Sequence, residues 1–148
     1  MPWIDEAIQH YTDFVKEHTK ATLLDGQWYS ISTPFWNMFN DYIEIYCCNK
    51  NGKIYLSDGG ETLQELDLAG IDLSCSGTKR KLINQIIRNY GVKRKKQKLF
   101  LETDMEHFAQ AEHSLINAIL EISHLYVLST PNIISMYKED RQTDLKSK

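Results

Sequence analysis

The stretch Asp41-Tyr42-Ile43-Glu44-Ile45-Tyr46-Cys47-Cys48-Asn49-Lys50-Asn51-Gly52-Lys53-Ile54-Tyr55-Leu56-Ser57 decides the fold. From Asp41 to Cys48 the residues alternate, with Tyr42, Glu44 and Tyr46 on one side and Ile43, Ile45 and Cys47 on the other. Period-two alternation of β-branched and aromatic residues marks a half-buried strand. Asn49-Lys50-Asn51-Gly52 supplies residues that accept a left-handed backbone, so the chain turns and returns as a second strand over Lys53 to Ser57. The pair reads as an antiparallel hairpin, the seed of a sheet.

Working outward, Trp28 to Thr33 has strand composition and is expected to end at Pro34, which cannot continue a ladder on both sides. Before it, Ile4, Ile8, Tyr11 and Val15 recur at helical spacing, predicting an amphipathic helix from Trp3 to about Thr19 that covers the core. After the hairpin, Thr62-Leu63-Gln64-Glu65 has the form of a capping box. A short helix should follow to about Ala69, with Gly70 closing it in a left-handed turn. Leu82, Ile83, Ile86, Ile87 and Tyr90 predict a helix from Thr78 to Asn89. Val92 to Arg94 and Lys98 to Glu102 read as another hairpin. Thr103-Asp104-Met105-Glu106 offers a second capping box before the stripe Phe108, Ala111, Leu115, Ala118, Ile119, Ile122 and Leu125 of a long helix. The expected fold is α+β: a small antiparallel sheet with an N-terminal helix, two middle helices and a long C-terminal helix. Residues 1–130 are expected to form one domain, and 131–148 a mobile charged tail, since Lys138 to Lys148 hold four basic and three acidic residues and one large aliphatic, Leu145.

A chain of 148 residues can bury roughly two-thirds of its unfolded surface without disulfides or a structural metal. With 42% hydrophobic and 25% charged residues it falls outside the collagen-like, disordered and disulfide-framework classes. No apolar run reaches the roughly 18 residues of a membrane span, and the start lacks a basic signal region, so a cytoplasmic location is expected. Cys47, Cys48 and Cys75 cannot all pair, and adjacent Cys47 and Cys48 point to opposite faces of a strand, so reduced thiols are expected.

Two stretches carry a family resemblance. Thr33-Pro34-Phe35 followed by Asn40-Asp41-Tyr42-Ile43-Glu44-Ile45-Tyr46, then Leu56-Ser57-Asp58-Gly59-Gly60-Glu61-Thr62-Leu63 with Gly70 beyond, resemble the phage- and prophage-associated domain-of-unknown-function family 1828. The likeness runs over about residues 28 to 128. It implies a small protein carried by phages and mobile elements of bacteria and implies no reaction. Between Phe35 and Asn40 that family tends to carry Asp, Arg and His, whereas this chain has Asn37, Met38 and Phe39, so chemistry needing a charged trio is not expected. Around Lys95-Lys96-Gln97 basic residues replace the usual Asp/Asn-Gly turn, so a longer or differently shaped turn is expected.

Catalytic signatures are weak. Asp41, Glu44, Asp58 and Glu61 stand near one hairpin and would suit a divalent cation if they converged, which is the metal-dependent nuclease reading. Against it, Asp41 and Glu44 have opposite strand parity, and Asp58 and Glu61 fit a turn and a helix start. Asp58-Gly59-Gly60 suits a phosphate-binding nest or a tight strand-to-helix turn, and it lacks the spacing and lysine of a P-loop. His107, His113 and His124 have no zinc-site spacing, and no local signature supplies a base for a cysteine nucleophile. No catalytic residue, metal or cofactor is assigned.

Charge is more informative. Residues 1–72 carry a net −8, residues 73–101 a net +9 and residues 102–148 a net −4, for a total of −3. The positive segment holds Lys79, Arg80, Lys81, Arg88, Lys93, Arg94, Lys95, Lys96 and Lys98, a candidate contact for nucleic acid or an acidic partner. Stacking aromatics are sparse beside it in sequence, with Tyr90 and Phe100 expected partly buried. The loop Phe35-Trp36-Asn37-Met38-Phe39 offers Trp36, Met38 and Phe39 as partner-binding anchors unless it folds back onto the core. Together with the resemblance, these features point to a non-catalytic phage or mobile-element protein that inhibits a bacterial defence effector, an anti-CRISPR protein blocking a Cas nuclease being the sharpest version. The alternative is a nucleic-acid-binding regulatory module centred on residues 79–98.

Overall fold

A computed structural model describes residues 2–71 and 77–128. Cys75 and the expected tail at 131–148 lie outside the described residues. The elements in chain order are α1 (Trp3–Glu17), β1 (Ala21–Leu23), β2 (Trp28–Trp36), β3 (Tyr42–Lys50), β4 (Lys53–Ser57), α2 (Glu61–Leu68), α3 (Thr78–Asn89), β5 (Lys93–Lys95), β6 (Lys98–Thr103), α4 (Phe108–Ser123) and a 3₁₀ turn, His124–Leu128. The fold is α+β, as the alternation and helical stripes predict. Six antiparallel strands lie in the order β1-β2-β3-β4-β6-β5.

The central hairpin closes where its turn chemistry says it should. Lys50 pairs with Lys53, and Asn51 and Gly52 both take positive φ, 56° and 89°. Asn49 Oδ1 accepts from the Gly52 N–H at 2.9 Å. The β5–β6 turn is no longer than this one: Lys95 pairs with Lys98, and Lys96 takes the left-handed conformation at φ 56°. The turn is therefore not longer but, as the alternative expectation has it, differently shaped: Lys96 alone of its two residues takes positive φ, whereas Asn51 and Gly52 both do, and the lysine accepts a backbone that glycine or asparagine would take at lower cost.

β2 also departs from its expected end. It runs through Pro34 to Trp36, with a bulge in which the four residues after Ser32 are matched by two on β3, Ser32 facing Glu44 and Trp36 facing Tyr42. Pro34, having no N–H to donate, lies inside that bulge. Thr33 Oγ1, buried there, donates to the Ile43 carbonyl at 2.7 Å. Neither expected capping box forms. Thr62 is already inside α2, and its N–H goes to Asp58 Oδ2 at 3.1 Å. At α4 the cap-like acceptor is Asp104, whose Oδ1 takes the His107 N–H at 2.9 Å.

The core lies between the odd-numbered side chains of β2 and β3 and the helices. Ile31, Ile43, Ile45, Leu56, Leu99 and Leu101 meet Leu63 and Leu66 of α2, Ile83 of α3 and Leu115, Ala118, Ile119 and Ile122 of α4. Helix α4 touches α2, α3, β3, β4 and β6, so it is the keel of the helical layer. The other face of the sheet carries no helix among the described residues. Helix α1 gives the largest correction: it forms as predicted but buries none of its residues, so it covers no core. Its amphipathic pattern specifies a helix and an apolar stripe, not what the stripe meets. Among the described residues no helix is long and apolar enough to cross a membrane.

Candidate functional site

The open sheet face follows from strand parity. Even-numbered residues of β3 point away from the helices, so Tyr42, Glu44, Tyr46 and Cys48 lie there. Register then fixes their neighbours: Tyr46 sits between Ser30 and Ser57, Cys48 between Trp28 and Tyr55, Ser57 beside Phe100, and Phe100 beside Lys93. Four strands therefore bring Trp28, Tyr46, Tyr55 and Phe100 onto one surface. Cys48 is only 2% exposed despite facing this side, consistent with its flanking rings. Leu24, Trp28, Tyr46, Tyr55, Phe100 and the lysines Lys95 and Lys98 line a shallow cleft of about 560 Å³. Lys50 and Lys53 place their ammonium groups 5.7 and 5.9 Å from the Tyr55 ring centroid.

The nine basic residues do not form one patch. Lys93, Lys95 and Lys98 share the open face with Phe100, because Lys93 pairs with Phe100 and Lys95 with Lys98. Arg94 pairs with buried Leu99 and points to the helical side, where its Nε donates to the Lys96 carbonyl at 2.8 Å. Lys79, Arg80 and Lys81 open α3, and Arg88 lies in its last turn. Lys96 occupies the hairpin tip. Among the described residues none of the nine forms an ion pair, while Lys53 is held 3.1 Å from Glu102. Stacking side chains are thus not sparse beside the basic hairpin. Trp28, Tyr46 and Tyr55 are distant in sequence and adjacent in space, and strand parity extended through the Asn51-Gly52 turn is the signal that finds Tyr55.

The loop anchors divide. Trp36 is 53% exposed and meets Tyr42 edge to face, centroids 5.1 Å apart. Met38 is also exposed. Phe39 turns inward, packs on the core and meets Tyr126 with the rings tilted and their centroids 5.2 Å apart, so the three do not form one surface. Asn37 shapes the loop, its Oδ1 accepting the N–H groups of Phe39 and Asp41 at 2.9 and 3.1 Å.

The carboxylates share one recess without converging on a point. Asp41, Glu44, Asp58, Glu61 and Glu65 line a recess of about 280 Å³ together with Asn37 and Tyr42. Asp58 is committed to structure: Oδ1 accepts from the Gly60 and Leu99 N–H groups at 2.8 and 3.0 Å while Oδ2 takes Thr62. The turn thereby fills its own donors, the Gly60 N–H with the Asp58 carboxylate and the Gly59 N–H with Ser57 Oγ at 3.0 Å. Glu65 accepts from Asn37 Nδ2 at 2.9 Å. Burial, then Asp41, Glu61 and Asp58, push its carboxyl above the ordinary value of 4.5. Tyr46 donates its hydroxyl to Glu61 at 2.8 Å, and burial and that carboxylate raise the phenol well above its usual range. Among the described residues no three of His, Cys, Asp or Glu stand close enough together to hold a metal ion. Burial raises the Cys47 thiol, with Glu112 and Cys48 adding to it, which disfavours the nucleophilic thiolate. His107 pairs with Asp104, and His113 and His124 are exposed on α4 and just beyond it.

No curated protein and no solved structure matches this chain. The sequence model of one family, described as domain of unknown function DUF1828, matches residues 33–122, more than half of the chain. The matched span runs from the β2 bulge through the open-face strands and the basic hairpin to the end of the α4 core stripe, and the chain belongs to the DUF1828 family.

Proposed function

We propose that the protein acts by binding rather than by chemistry, and that its open sheet face takes single-stranded nucleic acid. One observation carries this reading: Lys93, Lys95 and Lys98, which form no ion pair among the described residues, border a surface of aromatic side chains from four neighbouring strands that no described helix covers. Every base has a π-face, so rings on a sheet receive unpaired bases with little regard to sequence, each stack being worth about 1–3 kcal/mol. The lysines then meet the phosphates, and their counterions are released. A duplex would not present its bases to such a surface. Titration of a fluorescently labelled single-stranded oligonucleotide tests the reading. Binding should weaken at least about tenfold on Trp28→Ala or Phe100→Ala, with folding checked by urea denaturation. Affinity unchanged in both folded variants rejects it.

A second reading is favoured by the acidic recess. Asp41, Glu44, Glu61 and Glu65 line it beside exposed Trp36 and Met38, and Tyr46, hydrogen-bonded to Glu61, stands between it and the cleft of Lys95 and Lys98. An acidic recess with aromatic and thioether anchors suits the positively charged channel of a nucleic-acid enzyme. Under this reading the protein is a phage or mobile-element inhibitor of a bacterial defence effector such as a Cas nuclease. Copurification with such effector complexes, sensitive to salt and lost on Trp36→Ala, supports it. No association and no loss of nuclease activity counts against it.

A further inference from the structure

Helix α1 holds an apolar stripe that no described element covers. Trp3 is 76% exposed and Tyr11 60%, with Ile4, Ile8 and Phe14 also exposed. We propose that α1 pairs antiparallel with α1 of a second copy of this chain, independently of what the open sheet face binds. Ile4, Ile8, Tyr11 and Val15 are spaced four, three and four apart, the seam of a two-stranded coiled coil. About a two-fold axis midway between Gln9 and His10, Ile4 faces the second copy's Val15 and Ile8 faces its Tyr11, each contact occurring twice. On one flank the small Ala7 falls beside Phe14, leaving room for the ring. On the other, Asp5 falls within a turn of Lys16, so the two ends are complementary in charge.

Parallel pairing would instead bring Asp5 and Glu6 of both copies together and crowd two sheet bodies at one end. Antiparallel pairing sets the bodies at opposite ends of a 15-residue helix, about 22 Å apart along its axis. Trp3, Tyr11 and Phe14 each offer on the order of 150–250 Å² when fully covered. With the aliphatic residues, two helices supply an area near the lower end of stable interfaces, about 1,200 Å² in total. A closed C2 pair of this kind leaves no further copy of the stripe exposed.

Sedimentation equilibrium of the full chain tests this. The expected mass is twice 17.3 kDa at tens of micromolar protein. The double variant Ile8→Glu with Tyr11→Glu should be monomeric and still unfold cooperatively in urea, because α1 buries nothing in the body. Asp5→Lys should raise the dimer Kd roughly fivefold through two symmetric pairs. Adding Lys16→Asp should restore it, although both changes oppose the helix dipole. A monomeric wild type, or a double variant that stays dimeric, overturns the proposal. Absence of restoration in the charge exchange overturns the antiparallel register.

Discussion

Asp58 is the residue on which the strand-to-helix junction turns. Its carboxylate joins the start of α2 to β6 through three backbone donors, in a position 2% exposed. Asp58→Ala strands those donors, and urea denaturation should show a loss of about 3 kcal/mol or more. Gly59 is required for two reasons: φ is +71°, and an added Cβ would stand 2.7 Å from Tyr46 Cε2. Gly59→Ala should therefore cost roughly 2 kcal/mol, and less in a Tyr46→Ala background, a coupling that a double-mutant cycle reads. Glu65 gives a pH signature. Folding raises its carboxyl above 4.5, so its favourable contribution is full below the unfolded value and is lost as pH rises through the folded one. Glu65→Gln, which keeps a carbonyl acceptor for Asn37, should raise stability at pH 7 by less than about 1 kcal/mol after solvent screening. The gain should vanish below pH 4, as thermal unfolding at the two pH values will show. In the sequence Asp58 reads as a turn residue, and that is its place. Its hydrogen bond to Leu99 is invisible there, because the partner lies 41 residues away.

Local patterning specifies the elements where the deciding interactions are local. Asn51-Gly52 closes its hairpin within two residues, and the stripe ending before Gly91 marks α3 at Thr78–Asn89. The failures have a common cause. Pro34 is absorbed by a bulge instead of ending the strand, and neither threonine caps its helix, the donors going to Asp58 upstream of the first box and to Asp104 inside the second. Periodicity makes α1 a helix but says nothing of its partner. The β5–β6 hairpin offers a direct test at this scale. Lys96 holds φ at 56°, so Lys96→Gly removes left-handed strain and should raise stability by roughly 0.5–1 kcal/mol in chemical denaturation. A loss of stability would show that the turn relies on the lysine side chain.

Across the whole molecule, the sheet order converts a scattered sequence into a surface. β4 pairs with β6 after two intervening helices, and this long-range pairing sets Tyr55 and Trp28 in one cleft with Lys95 and Lys98, with Lys93 beside Phe100. The basic segment is legible as charge, and the aromatic alternation is legible as strands. Their meeting is not, because it depends on which strand lies beside β4. The same pairing sends Arg94 to the opposite side, so fewer than half of the nine basic residues border the rings. In the proposed binding these three lysines neutralise nucleic-acid phosphates beside stacked bases. The salt dependence of oligonucleotide affinity measures it directly, comparing wild type with the Lys93→Gln, Lys95→Gln, Lys98→Gln variant between 50 and 300 mM salt. Each lost phosphate contact should flatten the slope of log Kd against log salt by about 0.7, so the triple variant should lose about 2. An equal slope in the two proteins, or none in the wild type, would rule out the proposed lysine–phosphate contacts.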